Sequence, residues 1–109
     1  MSLTVVRGSQ FLEDIEHRAQ WYASESGPEL SWKFEEALNA TLDRLCQNPT
    51  IGHPCAFRNP LLQNLRSITV NEPFGRLRIF YRFDSTTLHP IRLMHGARDL
   101  GRRLLQPND

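Results

Sequence analysis

The part of the sequence richest in reactive side chains lies near the carboxyl end, where a histidine, an arginine and an aspartate occur together. His95, Arg98 and Asp99 follow a strand-like apolar run, and Gly96 predicts a turn there. A histidine at a strand end can exchange protons near neutral pH, and an arginine beside it can hold a phosphate. The same side chains also suit a structural corner in which the charged groups pair with neighbours. The sequence favours this structural interpretation and leaves the chemical one open.

Arginines form the second set of candidates. Twelve of the 13 basic residues are arginine, and arginine suits planar, bidentate contact with phosphate or carboxylate. Residues 1–57 carry four basic and eight acidic side chains, whereas residues 58–109 carry nine and four, so the formal net charge of +1 averages two oppositely charged halves. Four arginines of the basic half lie on predicted strands: Arg66, Arg76, Arg78 and Arg82. They are interpreted either as a phosphate-binding surface or as a solvated sheet face.

Several other chemistries are excluded by missing motifs. The sequence has no phosphate-binding glycine loop, no dinucleotide fingerprint and no serine-nucleophile elbow. The residues that invite a metal interpretation lack zinc-motif spacing, so we predict no metal and no cofactor: Cys46, His53, Cys55 and His95. The chain also lacks an apolar run of membrane-span or signal-peptide length. We therefore expect a cytoplasmic protein with reduced thiols and no membrane partner.

The elements that position these side chains follow from the hydrophobic pattern, and the length predicts one domain over residues 1–109. A β-type run over residues 3–7 predicts a first strand. Apolar residues at helical spacing then predict two amphipathic helices of roughly 17 and 20 residues. Ser9 is the predicted N-cap of the first helix, and Ser26 with Glu29 forms a predicted capping box for the second. The two helices together predict a hairpin with one apolar face.

Three β-type runs predict an antiparallel meander under this hairpin. They cover residues 65–70, 76–83 and 88–95. In the middle run, alternation directs Leu77, Ile79 and Phe83 towards the core and Arg76, Arg78 and Arg82 to the other face. Because the helices cover only one face, the arginine face is predicted to be open to solvent or to a partner. The predicted fold class is α+β, in the order β-α-α-β-β-β, with the hairpin packed on one face of a small, mainly antiparallel sheet.

The two tryptophans lie off the main apolar stripes of the predicted helices. Trp21 and Trp32 either cap the edge of the core or belong to an apolar patch that a partner covers. They therefore join the candidate surface residues.

The element order and four short strings together resemble the RelE/ParE superfamily, the toxins of bacterial type II toxin-antitoxin systems. The strings are Asn-Pro-Thr-Ile-Gly-His-Pro at 48–54, Leu-Arg-Ser-Ile at 65–68, Ile-Phe-Tyr-Arg at 79–82 and His-Gly-Ala-Arg-Asp-Leu at 95–100. The resemblance extends from about Leu3 to Leu105. Its His-Gly-Ala-Arg-Asp ending is more similar to the ParE, or plasmid-stabilisation, branch than to the RelE branch.

This resemblance implies a toxin that a small cognate antitoxin neutralises. ParE-like members inhibit DNA gyrase, whereas RelE-like members are ribosome-dependent endoribonucleases that cut mRNA. We expect the first activity, which makes the chain an inhibitory binding protein and not an enzyme. The surface expected to meet the target or the antitoxin contains Arg76, Arg82, Trp21 and Trp32. The alternatives are a RelE-like endoribonuclease and a non-toxic interaction module with the toxin fold.

The ribonuclease alternative has its own residues, which the resemblance places one by one. Arg78 and Arg98 fall where the RelE branch keeps two sheet arginines, and Arg66 lies near the place of a lysine. That branch also carries a carboxyl-terminal tyrosine, but this sequence has no tyrosine after Tyr81. His95 would have to replace it in proton transfer. The catalytic set under this alternative is Arg66, Arg78, His95 and Arg98.

Overall fold

A computed structural model describes residues 2–96 and 100–106, and it confirms the predicted α+β fold. The elements are β1 (Thr4–Val5), α1 (Ser9–Ser26), α2 (Pro28–Gln47), β2 (His53–Pro54), β3 (Arg66–Thr69), β4 (Leu77–Phe83), β5 (Thr87–His95) and α3 (Leu100–Arg103). Two single-turn 3-10 helices lie at Pro49–Ile51 and Pro60–Leu62. The strand order is β1-β5-β4-β3-β2, with β1 parallel to β5 and the other pairs antiparallel. No helix in the described ranges is long and apolar enough to cross a membrane.

The helix starts differ from the predicted caps. Gly8 is the N-cap of α1, and Gly27 is the N-cap of α2; neither helix has a side-chain cap hydrogen bond. Ser26 cannot cap α2 because it is still the last residue of α1. Gly27 has a φ of 89°, in the left-handed region that glycine tolerates, and its N–H closes α1 on the Ala23 carbonyl. One glycine therefore ends the first helix and starts the second.

The main core lies between the helical hairpin and one face of the sheet. Its fully buried members include Phe11, Phe34, Leu38, Leu77, Ile79, Tyr81 and Leu88. Leu77 and Ile79 face this core, as the alternation of β4 predicts. Phe83 only packs against its edge, whereas Tyr81 is completely buried. The alternation of β4 therefore sets the helix-facing side as expected.

A second, smaller core covers part of the opposite face and corrects the expectation of an open arginine face. It consists of Leu62, Leu65, Phe80, Met94 and Leu104. Phe80 lies between Arg78 and Arg82 in the alternation of β4, so its ring needs apolar cover on their face. The segment before β3 and the segment around α3 supply that cover. The helices are therefore not the only layer packed on the sheet.

A buried ion pair ties α1 to β5 and to the carboxyl-terminal segment. Asp14 is 2% exposed and Arg92 is 4% exposed. The Arg92 Nε and Nη2 atoms donate to the two Asp14 carboxylate oxygens at 2.8 and 3.1 Å, and the Leu93 N–H donates to the same carboxylate at 2.9 Å. Arg92 Nη1 also donates to the main-chain carbonyls of Arg103, Leu104 and Gln106. One guanidinium therefore holds the last described residues against the sheet.

Candidate functional site

The four strand arginines do not share one surface, which corrects that part of the sequence interpretation. Arg78 and Arg82 lie on the face of the second core, in alternation with the helix-facing residues of β4. Arg66 is paired across the strands with Tyr81, so its side chain lies on the helix side of the sheet. The Arg66 guanidinium carbon lies 6.0 Å from the centroid of the Phe83 ring. A ligand on one face cannot contact Arg66 and Arg78 together.

Three of these arginines make hydrogen bonds within the fold. Arg66 Nη1 donates to the carbonyl oxygen of Gly52 at 2.8 Å. Arg82 donates from Nε to the Gln63 carbonyl at 2.9 Å and from Nη2 to the Leu61 carbonyl at 2.7 Å. Arg78 Nη1 donates to the Ser67 hydroxyl at 3.1 Å. Arg66 and Arg82 therefore brace the loops before β3, where free main-chain carbonyls need donors.

Tyr81 is also part of the framework. Its hydroxyl donates to the Pro49 carbonyl at 2.6 Å and accepts from the Gly52 N–H at 3.0 Å. A Cβ atom on Gly52 would lie 2.2 Å from that hydroxyl oxygen, so the turn needs glycine for close approach. Burial raises the pKa of Tyr81. Two of the strings that carry the resemblance, 48–54 and 79–82, meet at this contact.

A cleft of about 410 Å³ lies where β4 begins and β5 ends. It is lined by Tyr22, Glu72, Pro73, Phe74, Gly75, Arg76 and His95, and we call it the cationic cleft for the groups described next. Leu77 is paired with His95, and the Gly96 N–H donates to the Arg76 carbonyl at 3.3 Å. This pairing places Arg76 beside His95. Arg103 Nη2 donates to the His95 carbonyl at 2.8 Å.

Positive charge surrounds His95. Partial burial, and then the charges of Arg18, Arg76 and Arg103, lower the pKa of His95 below its ordinary value of 6.5. At neutral pH the imidazole is therefore mostly uncharged. Arg18 comes from α1, where its guanidinium carbon lies 5.2 Å from the Trp21 ring centroid and 6.0 Å from that of Tyr22. The cleft thus combines cations, a neutral base and aromatic walls.

The remaining candidates have different positions. Arg98 and Asp99 lie outside the described residues. Trp21 and Trp32 are 47% and 66% exposed, so neither caps the core and the interpretation as surface residues is favoured. Trp21 adjoins the cationic cleft through an edge contact with the Tyr22 ring, whose centroid is 5.4 Å away.

Among the described residues, the sulfur and imidazole groups do not converge into a metal site. In the described part of the chain, no three histidine, cysteine or acidic side chains are arranged to hold a metal ion. Cys46 and Cys55 are both free thiols.

His95 and Arg76 are candidates from the sequence, whereas their neighbours Arg18, Tyr22 and Glu72 could not be predicted from it. These three come from α1 and from the turn before β4, and only the fold brings them to the end of β5. No spacing in the sequence links them to His95. The Arg92–Asp14 pair was missed for the same reason, although Asp14 lies on the apolar stripe of α1 between Phe11 and Ile15. A charged residue within such a stripe is the one sequence feature that points to a buried partner.

Comparison with known proteins gives a family and a shared fold. The family model described as the ParE toxin of the type II toxin-antitoxin system parDE matches residues 6–100. A chromosomal ParDE toxin-antitoxin structure from P. aeruginosa is 14% identical, covers 88% of this chain and 98% of its own, and has a TM-score of 0.70. The RelBE2 toxin-antitoxin complex from Mycobacterium tuberculosis is 19% identical, covers 87% and 99%, and has a TM-score of 0.59. No curated protein matches the chain.

Proposed function

The chain belongs to the ParE toxin family of type II toxin-antitoxin systems, and from this membership we propose that it inhibits DNA gyrase and is kept inactive by its cognate antitoxin. In this proposal the protein acts by binding and not by catalysis. The basic half of the chain supplies the contact surface. Inhibition of gyrase then stops DNA replication and arrests growth.

One observation favours binding over catalysis. The residues that the ribonuclease alternative requires lie apart in the structure. Arg66 and Arg78 lie on opposite faces of the sheet, so they cannot hold one scissile phosphate between them. The Tyr81 hydroxyl is buried and donates to the Pro49 carbonyl, so it does not act as a general base. An endoribonuclease needs a base and cations converging on the same phosphate. Among the described residues, a base and cations lie close together in this way only around His95.

His95 supports an endoribonuclease as the second candidate function. A neutral imidazole flanked by Arg18 and Arg76 can accept a proton while the guanidiniums stabilise a negative phosphate. In that case His95 takes the role of the tyrosine that this sequence lacks. Arg98 would complete the set.

The deciding experiment compares DNA supercoiling with mRNA cleavage. Induction of the protein without its antitoxin should arrest growth with filamentation and a DNA-damage response. The purified protein should abolish supercoiling of relaxed plasmid by gyrase, and addition of the antitoxin should restore it. Unchanged supercoiling by a protein that arrests growth would exclude gyrase as the target.

Ribosome assays test the second candidate. Translating ribosomes incubated with the protein should leave the message intact. Codon-specific cuts that disappear in His95→Gln and Arg98→Ala would instead establish the endoribonuclease. Absence of any growth effect in several hosts would favour the non-toxic interaction module.

A further inference from the structure

We propose that the chain self-associates through its first strand, so that two copies join their sheets into one continuous sheet across a two-fold axis. The surface concerned is the open edge formed by residues 4–8, which we call the β1 edge. The inference goes beyond the proposed function, because it is argued from the hydrogen-bonding groups of the edge and not from a target. The partner that it assigns to this edge is a second copy of the chain.

The main-chain groups of the β1 edge point alternately towards β5 and away from it. Within the described residues, β1 is an end strand of the sheet. Every second residue donates its N–H to a carbonyl on the β5 side: Thr4 to Thr86 at 3.0 Å, Val6 to Leu88 at 2.9 Å and Gly8 to Pro90 at 3.2 Å. The N–H and C=O groups of Val5 and Arg7 therefore point to the open side of the sheet. These two donors and two acceptors are available to another extended strand.

The opposite edge of the sheet is closed to such pairing by a proline. The Cys55 N–H donates to the Leu65 carbonyl at 2.8 Å, so the outward position of β2 is occupied by Pro54, which has no N–H to give. The β1 edge contains no proline and no lysine. Its one charged side chain is turned back to α2, where Arg7 Nη2 donates to Asn39 Oδ1 at 2.9 Å. Of these two edges, the β1 edge is therefore the one that lacks the usual protection against strand pairing.

A two-fold axis satisfies all four outward groups of the β1 edge in a single register. With the axis at Val6, Val5 of each copy pairs with Arg7 of the other, and each pair exchanges two main-chain hydrogen bonds. An axis at Val5 would oppose Arg7 to Leu3, whose N–H already donates to the Cys46 carbonyl at 2.9 Å. An axis at Arg7 would oppose Val5 to the first residue of α1. The edge is therefore self-complementary about Val6.

The side chain at the axis is apolar and accessible in the single copy. Val6 is 52% exposed, and with Pro90 and Ile91 it lines a pocket of about 450 Å³. In the proposed register the two Val6 side chains form a non-hydrogen-bonded pair, with their Cβ atoms about 5 Å apart. Each valine then covers the other, and the burial of this apolar surface favours association.

Charge complementarity distinguishes a second copy from an arbitrary strand. α2 runs beside the β1 edge, because Arg7 contacts Asn39 and Leu3 contacts Cys46. Asp43 lies between these two contacts along α2 and is exposed. In the proposed register, Arg7 of the second copy lies beside β1 at the level of Asp43. Two symmetrical Arg7–Asp43 ion pairs therefore accompany the pairing of the strands.

Sedimentation equilibrium of the full chain measures the self-association. The interface is small, so we expect a reversible dimer with a dissociation constant of about 10–100 μM. Val6→Lys opposes two like charges at the axis and should raise this constant about tenfold or more. Leu61→Lys is the matched control, because Leu61 is 70% exposed and lies in the turn before β3. It should change the constant by less than about twofold.

A charge exchange tests the ion pairs by the same measurement. Arg7→Asp should weaken the dimer, because it opposes two carboxylates across the interface. Combination of Arg7→Asp with Asp43→Arg restores opposite charges and should strengthen the dimer again. Thermal melts monitored by circular dichroism verify that each variant is folded.

A cysteine cross-link tests the register in a chain that also carries Cys55→Ser, which removes the partly exposed thiol. Val6→Cys should form a disulfide-linked dimer under mild oxidation, because the Cα atoms of the opposed pair lie about 4.5 Å apart. Thr4→Cys is the control. Thr4 is also exposed on the β1 edge, but in this register its two copies lie roughly 13 Å apart along the strands, too far for a disulfide.

Three results would overturn the inference. They are a chain that stays monomeric at every concentration, equal effects of Val6→Lys and Leu61→Lys, and equal cross-linking at positions 4 and 6. In the first case, protection of the Val5 and Arg7 amides on addition of the antitoxin would show that a strand of another protein occupies the edge instead. None of these results depends on gyrase. The supercoiling assay can therefore fail while the chain dimerises, and the reverse.

Discussion

The Tyr81 hydroxyl is the atom on which the turn between α2 and β2 depends. Replacement by phenylalanine leaves the Gly52 N–H and the Pro49 carbonyl without their partner in a buried place. We expect Tyr81→Phe to lower the free energy of unfolding by about 1–3 kcal/mol, the usual cost of an unsatisfied buried polar group. Urea denaturation of the purified protein measures this change.

Tyr22→Phe is the control for that prediction, because Tyr22 is only half-buried and lies away from the turn. It should change the free energy of unfolding by no more than about 0.5 kcal/mol, as is usual for surface substitutions. Gly52→Ala should be more destabilising than Tyr81→Phe because its Cβ would overlap the hydroxyl and the ring. Equal effects of the two tyrosine variants would contradict the role given to the Tyr81 hydroxyl.

His95 makes the free energy of unfolding depend on pH. Its pKa is lowered in the folded state, so the unfolded chain binds the proton first as the pH falls. The contribution of His95 to stability is present above its ordinary pKa and is lost as the pH falls through the lowered one. Acidification from about pH 7.5 to about pH 5 should therefore lower the free energy of unfolding less in His95→Gln than in the natural protein.

Urea denaturation at the two pH values tests this difference. Arg76→Gln should show an intermediate pH dependence, because one of the charges that lower the pKa of His95 is gone. The same pH dependence in all three proteins would show that His95 is not in the electrostatic environment described.

At the scale of elements, the sequence predicts those helices and strands that are long enough to show a hydrophobic period. The stripes of α1 and α2 and the alternation of β4 extend over enough residues to give the helical hairpin, the meander and the side that faces the helices. Periodicity does not reveal what covers the other side of a sheet, so the second core was missed even though Phe80 lies in the arginine row. The two-residue strand β2 is defined by its pairing with β3 and is too short to have a period.

The Asp14–Arg92 pair makes the order of the carboxyl-terminal segment depend on α1. Asp14→Asn leaves the buried Arg92 guanidinium without a counter-charge, while the guanidinium still donates to three carbonyls around α3. We expect the free energy of unfolding to fall by about 3–5 kcal/mol, the cost of breaking a buried pair on one side. Amide exchange in residues 100–106 should accelerate. Both are measured on the purified protein by urea denaturation and hydrogen-exchange mass spectrometry.

Asp43→Asn is the matched control, since it makes the same chemical change at an exposed position of α2. It should leave the exchange of residues 100–106 unaltered. A double variant, Asp14→Leu with Arg92→Met, should lose less stability than the two single changes added together, because it leaves no unpaired buried charge. Strict additivity would mean that the pair is not coupled.

At the scale of the whole molecule, the formal net charge of +1 conceals a polarity that the fold preserves. The acidic half builds the helical hairpin and the two short edge strands β1 and β2, and the basic half builds β3, β4, β5 and the segment after them. The cationic cleft lies on the boundary between them, because Arg18 is a basic residue of the acidic half. Surface charge of this kind acts mainly on the rate at which partners meet.

The association of toxin and antitoxin should therefore be salt-dependent. We expect the association rate constant to fall as sodium chloride is raised from about 50 mM to about 300 mM, because the Debye length shortens over this range. The dissociation rate constant should change less, because salt screens the long-range attraction that speeds encounter more than it weakens the contacts formed afterwards. Biolayer interferometry with immobilised antitoxin measures both constants. Arg58→Gln should lower the association rate constant, because it removes an exposed positive charge from the basic half of the chain. An association rate constant that does not change with salt would contradict this electrostatic explanation.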